Sequence, residues 1–312
     1  MKLFDSFRAL FRPGSDLYVL GSSILWGQGH PAAAKIDRKV AGFIGSEFEE
    51  RPRVHLLAHS GALLDGDPSS PPESVHGEVP TPWPSVLAQL HAAPAPRSDR
   101  IRVLLEGGIN DVGGVRISSP ATPPEYLEKA TERACYHDFK RLLEAVFARF
   151  PRAEVYVLGY YQILAERTVR KDVEDMLDRE GLPPVDDDDF DLAERAIGNS
   201  RLFRERSDFW LAKACREAGP SCTFVEAGFD ADEGMFGKPS LLFHPWSNDP
   251  MMGLRARKCT LALARRKTGL HCFLAATAHP NEAGIDRYVA NLIGAMRETA
   301  ARRKRGPNFS PR

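Results

Sequence analysis

Four short segments of the chain carry side chains of the types that acyl transfer requires. Ser23 lies in a Gly- and Ser-rich turn, and His279 lies near the end of the sequence, so that together they could supply a nucleophile and its general base. Between them, Gly61 offers a backbone N–H and Asn110 a side-chain amide. Such donors stabilise a developing oxyanion, and removing one costs about 2.7 to 4 kcal/mol in acyl transfer. The set therefore fits the active site of an esterase with a serine nucleophile.

Elements able to bring these residues together are predicted by the hydrophobic pattern. Apolar runs of strand length alternate with helical patterns along the chain, which indicates a parallel sheet covered on both faces. Strands are predicted at residues 17–20, 54–58, 101–105, 155–160 and 223–226, and helices at 32–48, 83–91, 124–150 and from 282 onward. We expect an α/β fold, a three-layer α/β/α sandwich with a five-stranded parallel sheet.

This arrangement places the candidate residues at one edge. Ser23, Gly61 and Asn110 each follow a predicted strand, and ligands bind at the carboxyl edge of open α/β sheets. His279 precedes Pro280 at the start of the last helix, where its backbone is kept extended and its ring can point back over that edge.

Composition narrows the classes of function. The 312 residues include 42 Lys and Arg and 42 Asp and Glu, so no overall field recruits nucleic acid or an anionic membrane. The odd number of five cysteines and the lack of CxxC pairs argue against a zinc site and a disulfide framework. We expect free thiols, a cytoplasmic location, and neither a metal nor an organic cofactor.

The domain boundaries follow from composition. Residues 1–13 form an amphipathic segment, interpreted as a helix docked on the domain or a partner, with an interfacial membrane helix as the less favoured alternative. A domain is predicted at 14–303, with two insertions above the sheet at about 163–200 and 228–258, followed by a basic tail at 304–312. The insertions are candidate lids or substrate walls.

The four segments resemble those of the SGNH, or GDSL, hydrolases. Gly108-Ile109-Asn110-Asp111 and the segment from His279 to Gly284 are close matches, and the flavodoxin-like sandwich of that family agrees with the strand pattern. The resemblance implies hydrolysis of a carboxylic ester or thioester of a small molecule or lipid. It implies Ser23 as nucleophile, His279 as base, and Gly61 and Asn110 as oxyanion donors beside the Ser23 N–H.

Two positions depart from the family pattern. Ser22 replaces the usual Asp before the nucleophile, and Ala276 occupies the position of the triad acid, three residues before His279. Losing the acid's charge costs about 10⁴ in rate in a Ser-His-Asp triad. A backbone carbonyl could orient His279 instead, or a relocated carboxylate, with three candidates in the second insertion: Asp230, Asp232 and Asp249. Otherwise the protein is a noncatalytic binding or scaffold protein, or Ala276 is an engineered substitution.

Three further histidines are candidates for the substrate pocket, namely His30, His59 and His244. The acidic run at residues 186–189 lacks the spacing of a calcium loop and is interpreted as a solvated loop. Metal-dependent phosphodiester hydrolysis ranks last among the functions considered, because the sequence lacks a clustered set of His and Asp ligands.

Overall fold

Five apolar runs form the strands of a single parallel sheet. The structure is a computed structural model that describes residues 13–66, 75–179, 191–263 and 272–305. The strands are β1 (Gly14–Leu20), β2 (Arg51–Leu56), β3 (Ile101–Leu105), β4 (Glu154–Leu158) and β5 (Cys222–Val225), in the order β2-β1-β3-β4-β5. The central strands β3 and β4 are buried throughout, as expected of a parallel sheet covered on both faces. The predicted five-stranded α/β fold is confirmed.

Helices cover the sheet on both sides. Their bounds are α1 (Ser23–Trp26), α2 (Ile36–Glu47), α3 (Val86–Ala92), α4 (Ile109–Val112), α5 (Gly114–Ser118), α6 (Pro124–Glu132), α7 (Phe139–Arg149), α8 (Arg170–Arg179), α9 (Leu192–Ala218), α10 (Met252–Leu263) and α11 (Glu282–Arg305). Helix α2 packs against α11, whereas α9 packs against α6 and α7 and α3 packs against α7. Two helical layers therefore enclose the sheet.

Two predicted helices are less regular than their sequence pattern indicated. The helix predicted at 32–48 begins with a 3₁₀ turn, Ala32–Ala34, and α2 starts only at Ile36. The helix predicted at 124–150 is interrupted by a π-helical segment, Arg133–Asp138, between α6 and α7. This wider turn carries Cys135, whose Sγ would lie 3.2 Å from a Cβ at Gly108. Such π segments often occur at functional sites, and this one packs against the segment Gly108–Asp111, which carries Asn110.

The cysteines depart from the prediction. Cys259 of α10 and Cys272 form a disulfide, whereas Cys135, Cys215 and Cys222 are free thiols. The prediction of five free thiols is wrong for this pair, because the fold brings together two residues whose spacing in sequence is not that of a CxxC motif. Disulfides persist mainly in oxidising compartments, so the argument from free thiols to a reducing cytoplasm no longer holds.

The order of the strands defines where a ligand can bind. After β1 the chain passes to β2 on one side, and β3 then pairs with β1 on the other side, which makes the β1/β3 boundary the switch point of the sheet. Ligands bind at this crevice in open α/β sheets. Ser23 follows β1 and Asn110 follows β3, so both candidate residues lie at the switch point.

Some predicted features lie outside the described residues. These are the amphipathic segment up to residue 12, the acidic run at 186–189, and the tail from residue 306. The stretch at 163–200 contains α8 and the first turns of α9, while 228–258 is largely irregular until α10 begins. No helix within the described ranges is both long enough and apolar enough to cross a membrane.

Candidate active site

The turn after β1 presents Ser23 to the carboxyl edge of the sheet. Gly21 allows this turn because a Cβ at its position would lie 2.8 Å from the Glu106 carbonyl oxygen. Ser23 then opens the short helix α1, and its Oγ lies 2.6 Å from Nε2 of His279. A serine and a histidine 256 positions apart in sequence are therefore within hydrogen-bond distance, as a nucleophile and its base require.

The second ring nitrogen of His279 faces a backbone carbonyl. Its Nδ1 lies 3.0 Å from the Thr277 carbonyl oxygen, so Nδ1–H donates to that oxygen and leaves Nε2 to accept from Ser23. The side chain of Ala276 is a buried methyl group, and its carbonyl oxygen accepts from the His279 backbone N–H at 3.0 Å. Of the alternatives for orienting the ring, the structure has the backbone carbonyl.

None of the three candidate acids is hydrogen-bonded to His279 in the structure. Asp232 pairs with Arg167 at 3.0 Å, and Asp249 pairs with the buried guanidinium of Arg255. The Asp230 backbone N–H donates to Glu233. Across the described parts of the chain, no carboxylate makes a hydrogen bond to His279, so the proposal of a relocated acid among these three is contradicted by their geometry.

The surroundings of His279 oppose its protonation. Burial lowers the pKa of His279 to about 4, the hydrogen bond to Thr277 acts in the opposite direction, and the positive charge of Arg255 lowers it further. Burial disfavours the charged form of an imidazole, and here no nearby carboxylate compensates for it. The ring is therefore neutral at pH 7 and free to accept a proton.

Asn110 lies at the cavity beside Ser23, and its amide is held by Ala62 in the loop that follows β2. Its Nδ2 donates to the Ala62 carbonyl at 3.0 Å, and one N–H of the amide remains for a ligand. The neighbouring Asp111 accepts from the Leu64 N–H, with one carboxylate oxygen at 3.2 Å. These bonds tie the loop after β2 to the loop after β3.

Gly61 has the backbone expected of a turn but does not line the cavity. Its φ is +81°, and a Cβ would lie 2.7 Å from the Thr81 nitrogen, so glycine is required there. The structure places it next to Ala62, which holds Asn110. Its role as an oxyanion donor stays a prediction.

A largely apolar cavity opens beside the Ser23–His279 pair. It has a volume of about 210 Å³, and most of its wall consists of aliphatic, aromatic and methionine side chains. Apart from Ser23, Asn110 and His279, the wall includes Ile24, Ile109, Val115, Tyr161, Ile163, Met176, Met235 and Leu274. Ile163 and Met176 come from the first predicted insertion and Met235 from the second, so both stretches contribute to the wall of this cavity. Their role as lids or substrate walls stays a prediction.

The three candidate pocket histidines lie outside this lining. His30 is buried, with Nε2 at 2.8 Å from the Pro280 carbonyl oxygen, and burial lowers its pKa. His59 places Nδ1 2.9 Å from the Ser60 carbonyl oxygen, and His244 accepts from the Trp246 N–H. Contact of these three rings with a substrate stays a prediction.

Glu106, which sequence analysis missed, lies directly behind the nucleophile turn. Its buried carboxyl accepts from the Ser22 N–H at 2.8 Å, from the Ser22 hydroxyl at 2.9 Å and from the Tyr160 hydroxyl at 2.9 Å. Burial raises the pKa of Glu106, while these hydrogen bonds act in the opposite direction. Ser22 thus donates two hydrogen bonds to Glu106, one from its N–H and one from its hydroxyl. An ionised aspartate at position 22 would have no side-chain donor and could form only the first. One indication in the sequence that Glu106 belongs to the site is that it directly follows β3 and directly precedes Gly107 and Gly108.

The fold of this chain resembles solved structures of other proteins, although its sequence has no close match. No protein-family model matches the sequence, and no curated protein matches it. The structure resembles an extracellular lipase from Streptomyces rimosus, with 15% identity, a TM-score of 0.54, and coverage of 91% of this chain and 99% of that one. It also resembles a phospholipase A1 from Streptomyces albidoflavus, with 13% identity, a TM-score of 0.50 and the same coverage. The chain therefore shares the fold of this lipase and this phospholipase.

Proposed function

We propose that this protein is a serine ester hydrolase that cleaves a carboxylic ester or thioester through an acyl-Ser23 intermediate. The observation that carries the proposal is the 2.6 Å contact between Ser23 Oγ and His279 Nε2 at the mouth of an apolar cavity. The lipase and phospholipase among its structural neighbours support hydrolysis of esters in general.

The chemistry follows from the donor and acceptor pattern. Neutral His279 takes the Ser23 proton as Oγ attacks the ester carbonyl, and its Nδ1–H stays on the Thr277 carbonyl. The Ser23 N–H, the Gly61 N–H and the Asn110 amide stabilise the oxyanion, and His279 then passes its proton to the leaving alcohol. Water releases the acyl group by the same steps in reverse. The acyl chain of a small-molecule or lipid ester occupies the apolar cavity.

Labelling with an alkyl fluorophosphonate followed by peptide mass mapping tests this proposal. We expect one adduct per chain, on Ser23, because Ser23 is the serine whose hydroxyl contacts a neutral imidazole. Absence of an adduct in the folded protein, together with absence of esterase activity, would overturn the proposal.

The same experiment addresses the rival function. A noncatalytic binding or scaffold protein is favoured by one specific observation, namely that a neutral carbonyl and not a carboxylate faces His279 Nδ1. Such a protein would bind ester or fatty-acid probes in the cavity without forming an adduct. Stoichiometric labelling of Ser23 would exclude this function.

The low pKa of His279 predicts an unusual pH dependence. The base works only when neutral, so kcat/KM falls as the pH drops through a pKa of about 4. At pH 5 we expect about 90% of the neutral-pH value, whereas a histidine with an ordinary pKa of about 6.5 would retain only about 3%. A pH profile of kcat/KM for a simple ester checks this, and an acidic midpoint near 6.5 would contradict it.

Restoring an acid at position 276 should increase the rate. In Ala276→Asp, a carboxylate that accepts Nδ1–H would stabilise the imidazolium and raise the pKa of His279 towards neutrality. We expect kcat/KM for a simple ester to rise by at least about tenfold, a modest part of the 10⁴ that a triad acid provides. The acidic midpoint of the pH profile should rise with it.

Two controls define that experiment. The gain must disappear in the Ala276→Asp, Ser23→Ala double variant, which excludes a contaminating esterase. A flat or lower rate in a folded variant that still labels at Ser23 would mean that the Thr277 carbonyl already supplies the orientation, and that the new carboxylate engages Arg255 beside Asp249 instead.

A further inference from the structure

The peptide group that accepts the His279 Nδ1–H is itself held from its other end. The Thr277 carbonyl receives Nδ1–H at 3.0 Å, and the Ala278 N–H of the same peptide group donates to the Phe243 carbonyl at 2.8 Å. Because a peptide group is planar and rigid, the bond to Phe243 fixes the direction of the Thr277 carbonyl. Hydrogen bonds in such a chain also polarise one another.

The next residue shows that this arrangement is imposed on the backbone. Ala278 has a φ of +64°, in the left-handed region that a residue with a Cβ rarely adopts. Such conformations persist only where the surrounding structure enforces them. Here the Phe243 N–H donates to the His279 carbonyl at 2.8 Å, and the Tyr161 hydroxyl donates to the Ala278 carbonyl at 2.8 Å.

Tyr161 is well suited to enforce a backbone conformation. It follows β4 by three residues and is only 3% exposed. Its ring stacks on Phe229, with centroids 5.1 Å apart and planes inclined by 14°, and meets the edge of Tyr288. The hydroxyl therefore has a fixed position, set by packing between the second insertion and the last helix.

We propose that Tyr161 is a positioning residue for His279. The Tyr161 hydroxyl holds the Thr277–Ala278 backbone so that the Thr277 carbonyl orients the imidazole, as the acid does in a Ser-His-Asp triad. The inference rests on the proposed function for its kinetic consequence. A carboxylate orients an imidazole by its own charge, whereas a carbonyl does so only if its peptide group points at Nδ1. Without the Tyr161 hydroxyl, Ala278 can relax towards negative φ and turn the Thr277 carbonyl away from the ring.

Tyr161→Phe tests this directly, because it removes the hydroxyl and keeps the ring, the stacking and the cavity wall. We expect kcat to fall by about tenfold or more with KM changed by less than about twofold, since the interaction acts on the base and not on substrate binding. The acidic midpoint of the kcat/KM profile should also rise from about 4, because a loosened ring regains solvent. Unchanged kcat and an unchanged midpoint would overturn the inference.

Tyr156→Phe is the matched control. Tyr156 is also a buried tyrosine of the β4 region, 1% exposed, and its hydroxyl donates to Glu154 at the opposite end of the strand. A loss of kcat of the same size in this variant would attribute the effect to general destabilisation and overturn the inference.

A spectroscopic measurement makes the test independent of turnover. In ¹⁵N-labelled protein, the His279 Nδ1–H signal, assigned by its loss in His279→Gln, reports the bond to Thr277. We expect its exchange with solvent to be at least about tenfold faster in Tyr161→Phe and unchanged in Tyr156→Phe. Equal exchange in the wild type, Tyr161→Phe and Tyr156→Phe would overturn the inference even if Ser23 labels. If exchange is faster in Tyr161→Phe but the protein neither labels nor hydrolyses esters, the inference is supported and only the proposed function is rejected.

Discussion

Ser23→Ala should lose more than about 99% of ester hydrolysis and all labelling by fluorophosphonate, because the substitution removes the hydroxyl that attacks the substrate. The fold should be unaffected. The Ser23 hydroxyl contacts the His279 imidazole, whereas its backbone, which closes the turn after β1, is retained. Turnover of p-nitrophenyl acetate and thermal unfolding measured on the same sample check both parts.

The neighbouring serine provides the control for this variant. The Ser22 hydroxyl is buried and donates to Glu106, so it points away from His279. Ser22→Ala should therefore still form its adduct on Ser23. Wild-type turnover in Ser23→Ala, or an adduct on Ser22 in the wild-type protein, would end the assignment of the nucleophile.

Asn110→Ala should reduce kcat by about 10² to 10³ with little change in KM, because an oxyanion donor acts mainly in the transition state. Its amide also donates to the Ala62 carbonyl, so we expect a small loss in the free energy of unfolding, about 1 kcal/mol. Steady-state kinetics with a simple ester and denaturant unfolding separate the two effects.

Asn199→Ala is the matched control for Asn110. Asn199 is a buried asparagine whose amide donates to the Ser119 and Thr122 carbonyls at 2.9 and 3.0 Å, and it does not line the cavity beside Ser23. It should lower stability without lowering kcat. If Asn110→Ala changed only KM, Asn110 would be a ground-state substrate contact and not an oxyanion donor.

Much of the fold was predictable because it depends on local patterns. The apolar runs that became β1, β3 and β4 are buried almost throughout, so they stand out in the sequence, whereas the edge strands β2 and β5 are only partly buried. The turns after β1 and β3 carry Ser23 and Asn110 to the same edge. Strand ends in a parallel sheet meet at one edge whatever the loops do. For this reason the Ser23 and Asn110 positions could be proposed from the sequence, whereas His279 was proposed from its place before Pro280 at the start of the last helix.

Features set by distant contacts were not predictable in this way. The disulfide between Cys259 and Cys272, the position of Glu106 behind Ser22 and the loop packing of His30, His59 and His244 depend on how loops fold back on one another. Loop conformation has no sequence periodicity comparable to that of a strand or a helix. The candidate acids failed for the same reason, since pairing with Arg167 and Arg255 decides where Asp232 and Asp249 point.

The amino-acid sequence by itself determined the fold class, the candidate nucleophile and base, and the absence of an acid at position 276. Only the tertiary structure decided what faces the other nitrogen of His279. The Thr277 carbonyl points at Nδ1 because residues 241–243 pair with 278–281 and because Tyr161 holds Ala278, contacts that join segments far apart in sequence. An acid at position 276 would have been recognisable from the residue type alone. Every residue carries a backbone carbonyl, so only the tertiary structure can show which carbonyl faces Nδ1 of His279.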